Sequence, residues 1–157
     1  MMVSFRMSGA GLLPIGRLSV AGQVVVDQAD GHPTLELPTE AGLWEGRRME
    51  GFARSMLDGL SVWLREISRP RHEQSPTVIQ HEAARSARML ELWERQCGHR
   101  LLRGPLNMLQ ITLACALGLE VRMAGFDWRQ GHPQLVRWYE RIASRPSFVA
   151  TTPPRPS

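Results

Sequence analysis

Two thiols, Cys97 and Cys115, are the strongest potential nucleophiles in this 157-residue sequence. A thiol reacts as its thiolate, and neighbouring cations lower its pKa. Cys97 precedes His99 and Arg100, but its place at the end of a helical pattern reads as that of a small, half-buried structural residue. Cys115 falls in the most apolar stretch, which predicts an inert core thiol. Two cysteines are too few for a disulfide scaffold or a four-thiolate zinc site. His72, His81, His99 and His132 show no helical pairing with one another or with a carboxylate cluster, so no metal site is expected. Ser/His/Asp orders, phosphate-cradling glycine loops and paired-cysteine motifs are missing from the sequence. No catalytic residue is assigned. Asp127-Trp128-Arg129 reads as an anchor that hydrogen-bonds a loop onto the last helix, and His132 as the start of that helix.

These side chains hang on a helical framework with four segments. Over roughly 43–68, Phe52, Met56, Leu60, Trp63 and Ile67 recur at steps of three and four and form one apolar stripe. The segment stops before Pro70, because the residue ahead of a proline resists helical backbone. The second segment, about 75–97, opens on Ser75-Pro76, a cap followed by proline in the first turn. Ile79, Ala83, Ala87, Leu90 and Trp93 line one side, and Gly98 is the expected stop. The third opens on Asn107, whose side chain can accept from the Gln110 backbone N–H while the Gln110 amide reaches back, a capping-box variant. From 111 to 119 every residue is apolar or small, so this helix should be the centre of a bundle, intolerant of charge at Ala114 or Leu117. The fourth begins at His132-Pro133, buries Leu135, Trp138, Tyr139 and Ile142, and ends at Ser144-Arg145-Pro146. The proline-rich stretch 151–157 reads as a loose tail.

Residues 1–42 have a different texture, rich in glycine, with a short hairpin expected over 18–26 and a loop over 29–42. The composition, 43% hydrophobic and 22% charged, is that of an ordinary globular fold. All 19 basic side chains are arginine. They interleave with glutamate, as at Glu91 and Arg95 or Arg137, Glu140 and Arg141, which reads as a solvated helix surface rather than a nucleic-acid face. No uncharged run is long enough to span a bilayer. The few cysteines suit a reducing, cytoplasmic setting.

Several strings together carry a resemblance. Residues 107–117, then Phe126-Asp127-Trp128-Arg129-Gln130-Gly131-His132-Pro133-Gln134-Leu135, Trp138-Tyr139-Glu140-Arg141 and Ser144-Arg145-Pro146-Ser147-Phe148, resemble the C-terminal helical domain of bacterial glutathione S-transferases. The likeness covers about residues 43–153. It implies an all-α fold, a helical bundle preceded by a short β-hairpin or loop remnant, with 154–157 as a tail. The family has a Ser/Thr-x-x-Asp capping box at its buried helix, and Asn107 and Gln110 stand in those places.

Complete family members add a thioredoxin-like domain that holds glutathione and activates its thiol. The resemblance implies that residues 1–42 are the end of such a domain and a linker, without its opening strand, its first helix with the activating Ser, Tyr or Cys, or its second strand. Pro14 would stand for the family's cis-proline. Asp27-Gln28 would stand for its acid-Ser pair, at a spacing one residue longer and with Gln28 in place of serine. Met49, Met56 and Trp63 could line the pocket for the electrophile, although the same stripe reads equally as core. The expectation is a glutathione S-transferase-like protein, feeble or inactive in conjugation, with glutathione as co-substrate and no other cofactor. Its partners would be glutathione, a hydrophobic electrophile, and a second copy or another chain covering exposed apolar surface. The alternatives are a non-catalytic helical binding or assembly module, and a reading frame started too late.

Overall fold

Residues 43–151 are described in a computed structural model. The expected 18–26 hairpin, the 29–42 loop, Pro14, Asp27, Gln28 and the end of the tail lie outside the described residues.

Three- and four-residue apolar steps make the first long helix, α1 (Leu43–Ile67). Its buried line is Met49, Ala53, Met56, Leu60 and Trp63. Phe52, expected on that line, stands one residue off it and is 36% exposed, because Ala53 takes the inward position. Its ring instead meets Trp93 edge-on, with centroids 6.4 Å apart. After α1 the Gln74 amide donates to the carbonyls of Ile67 and Arg69 (3.1 and 2.8 Å), and the Glu66 carboxylate accepts from the Ser75 N–H at 2.6 Å. These bonds fix the connection to α2 (Pro76–Gln96).

Ser75 caps α2 as expected, its hydroxyl accepting from the Val78 N–H. The buried residues of α2 are Ser86, Met89, Leu90 and Trp93. Ala87 faces solvent instead of lining the core, since the inward face follows the Ser86–Trp93 phase. Gly98 follows the helix without a left-handed backbone; among the described residues positive φ occurs at Gly125 (88°) and Gly131 (80°). No left-handed reversal is needed, because a one-turn helix, α3 (Arg100–Arg103), begins almost at once with His99 as its N-cap.

The next helix, α4 (Met108–Gly118), buries seven of its residues and lies at the centre of the described helices. It packs chiefly on α1, which also packs on α2. Cys115 overturns the expected core thiol: it is exposed. Met108, Ile111 and Cys115, at steps of three and four, form the one line of α4 left uncovered, with the two earlier residues half-buried. A 3-10 turn (Leu119–Arg122) leads into the 123–132 loop. Then α5 (Pro133–Ala143) buries Leu135, Trp138 and Ile142. The fourth helix ends where expected, and a further short helix, α6 (Pro146–Thr151), follows it within the expected domain. It has a single large aromatic, Phe148, partly buried against the core, too little for a periodic signal. Among the described residues there is no strand and no helix long and apolar enough to cross a membrane. The all-helical bundle is the one the sequence predicts.

Candidate functional site

The start of α4 is organised by side-chain amides. Asn107 Oδ1 accepts from the Gln110 N–H at 3.1 Å, which satisfies one of the helix's orphan donors. Gln110 does not reach back to close a capping box. Its amide donates to the carbonyls of Leu101 (2.8 Å), Gly104 (3.3 Å) and Pro105 (3.0 Å). An amide carries donors that a carboxylate lacks, so a glutamine here can bind carbonyls of the preceding turn. Asn107 Nδ2 joins it on the Leu101 carbonyl at 2.9 Å. The neighbouring Leu102 carbonyl accepts from Trp138 Nε1 (2.9 Å) and Arg141 Nη2 (2.8 Å). Two successive carbonyls thus tie the beginning of α4 and the face of α5 to one turn. Arg141 stays on the exposed surface expected of it while its guanidinium reaches this carbonyl.

The 123–132 loop is held at several points. Trp128 is buried and its Nε1 donates to the Leu117 carbonyl at 3.0 Å. Arg129 makes two bonds to Glu120 (2.9 and 2.6 Å) and lies over the rings of Trp128 (4.7 Å) and Tyr139 (5.2 Å). The hydrogen bond and charge of Glu120 hold Arg129 more firmly protonated. His132 Nδ1 lies 2.8 Å from the Trp128 carbonyl. The anchoring expected of Asp127-Trp128-Arg129 is therefore done by the last two, while Asp127 is exposed.

Glu94 is the structural residue that sequence reasoning missed. Its carboxylate on α2 accepts from the Gln134 N–H (2.9 Å) and the Leu135 N–H (2.8 Å), the open donors at the start of α5. Forty residues separate the partners, and neither local pattern points to the other.

The expected pocket residues divide. Met49 and Met56 are core residues, 2% and 1% exposed. Trp63 borders a cleft of about 430 Å³ between α1, α2 and the 123–132 loop. The candidate nucleophiles are poorly poised. Burial, then the charge of Glu94, pushes the Cys97 thiol up to about 11. Burial also raises the Cys115 thiol and, with Glu120, the Tyr139 phenol. No group of three or more metal-ligating side chains occurs among the described residues.

The helix order, the capped buried helix and the tryptophan-anchored loop ahead of α5 define a transferase-type helical domain. Residues 76–141 match the family described as "Glutathione S-transferase, C-terminal domain", and the helical part of this chain is similar to that domain. The GST-like protein YibF of Escherichia coli K12 is 32% identical over 111 residues, covering 69% of this chain. The chain spans only 55% of that relative's length. A glutathione transferase family member from Pseudomonas fluorescens Pf-5, solved with bound S-(propanoic acid)-glutathione, is 26% identical with a TM-score of 0.73. That match covers 96% of this chain and 76% of the other. A glutathione S-transferase from Methylobacillus flagellatus with glutathione bound gives 26% identity and a TM-score of 0.68, over 83% of this chain and 67% of the other.

Proposed function

We propose that this chain takes part in glutathione-dependent chemistry on an apolar electrophile, its helices supplying the wall for that substrate and not the group that activates the thiol. The observation that carries this reading is the match of the helical domain to transferases solved with glutathione or a glutathione conjugate. The chemistry of the described residues supports the second half. Glutathione transfer needs a thiolate, hence a donor or cation that lowers the thiol pKa. Burial holds Cys97, Cys115 and Tyr139 protonated, so none of them offers an anion that could take the glutathione proton.

In this reading Pro14, Asp27 and Gln28 contact glutathione. Trp63 faces the electrophile, and Met49 and Met56 pack behind it in the core. The setting is cytoplasmic, where glutathione and both cysteines stay reduced. Isothermal titration with glutathione, followed by conjugation of a chlorinated dinitrobenzene, tests the proposal. Saturable binding with feeble turnover is expected. Absence of binding at millimolar glutathione refutes the glutathione reading, and turnover like that of a full transferase refutes the division of labour.

A second reading, an assembly module acting as a homodimer or with a partner chain, draws on exposed apolar side chains of α1. Trp44 is 79% exposed and Phe52 36%, and such patches attract partners. Sedimentation as a monomer at micromolar concentration would count against it.

A further inference from the structure

The cleft beside Trp63 has an aromatic floor and a charged rim. Trp63, Phe126 and Trp128 form the floor, each at most 6% exposed. Trp63 and Phe126 meet edge-on with centroids 6.1 Å apart. Arg88, Glu91 and His132 stand around it. At about 430 Å³ the cleft falls within the range of small-molecule sites, roughly 300–1,000 Å³.

His132 gives it directional chemistry. A carbonyl oxygen only accepts, so the 2.8 Å contact with the Trp128 carbonyl places the proton of the neutral ring on Nδ1. Nε2 then carries a lone pair. That atom is buried and has no hydrogen-bond partner. The closest carboxylate oxygen, Glu91 Oε1, is 3.8 Å away, too far to bond, and is itself an acceptor. A buried polar atom left unsatisfied costs free energy, and a donor entering the cleft removes that cost. Aromatic side chains below and an acceptor at the side describe one kind of ligand.

We propose that this cleft binds a small flat aromatic molecule bearing a single N–H or O–H donor, with that donor bonded to His132 Nε2. The inference rests on the reading above in that Trp63 belongs to both, but its test needs no glutathione, so its failure is distinguishable from failure of the glutathione titration.

The test uses the 15N-labelled full chain in mildly alkaline buffer. Indole and N-methylindole, which differ by one donor, are titrated while the His132 ring nitrogens and the Trp63 and Trp128 indole N–H signals are followed. Indole should shift these signals saturably and bind about tenfold more tightly than N-methylindole. His132→Asn keeps an N–H for the Trp128 carbonyl but removes Nε2, and should bring indole down to the level of its methylated analogue. Ala87→Trp places a large side chain at the exposed rim and should abolish binding of both, even if the His132 variant fails to fold. Equal affinity for the two probes, or the absence of saturable shifts at the cleft residues, overturns the proposal and leaves a water-filled surface groove.

Discussion

Cys97 is 8% exposed and donates to the Trp93 carbonyl across 3.2 Å. Its folded pKa, about 11, lies above the ordinary value of 9.0. The unfolded chain therefore loses this proton first, near pH 9. Between pH 9 and 11 the folded state holds more protons than the unfolded one, so stability falls as pH rises. The contribution is intact below pH 9 and gone above 11. At 1.36 kcal/mol per unit it amounts to roughly 2–3 kcal/mol. Chemical denaturation across this range should show a steeper alkaline loss for the wild type than for Cys97→Ala, with the raised Cys115 and Tyr139 groups giving both proteins a shared background slope. In the same samples at neutral pH, iodoacetamide should modify exposed Cys115 well before Cys97, as read by mass spectrometry. Equal labelling would mean that Cys97 is not enclosed as described.

At the level of elements, α5 depends on a carboxylate from a different helix. Glu94→Gln keeps the size and one acceptor oxygen but removes the charge opposite the positive end of α5. A loss of about 1–2 kcal/mol is expected, with faster amide exchange at Gln134 and Leu135. Unchanged exchange there would show that the cap contributes nothing. The same element shows what a sequence conceals. Leu135, Trp138 and Ile142 announced their burial by spacing, and Pro133 announced the helix start. Glu94 left no trace, because periodicity reports on one element at a time. Gln110 was half legible: its position marked the helix start, but nothing local says whether an amide will use its oxygen or its nitrogen. Cys115 was misjudged for the opposite reason. Its apolar neighbours gave no phase, so a helix hydrophobic on every side could not show which line stays uncovered. For the candidate site, the Trp128-Arg129 anchor and Trp63 were visible as residue types, whereas the cleft that Trp63 borders arises only when three elements meet.

For the whole molecule, stability converges on α4, and the sharpest comparison uses adjacent residues. Ala114 is 1% exposed and Cys115 is exposed. Ala114→Asp buries a carboxylate without a partner, at a cost of several kcal/mol out of a typical total of about 5–15. Cys115→Asp adds the same charge where water can reach it. Circular dichroism and thermal unfolding should find the first variant largely unfolded or aggregated and the second within a few degrees of wild type. Similar behaviour of the two would contradict the placement of α4 as the hub of the core.

The turn at Leu101 and Leu102 also bears on how the family can drift. Four donors from two helices meet two main-chain oxygens there, and every amino acid brings such an oxygen. A codon change can erase Asn107, Gln110, Trp138 or Arg141, but none can erase what they hold on to. Innovation at this joint is therefore one-sided: new donors can be tried in turn against a receptor that the genetic code cannot rewrite.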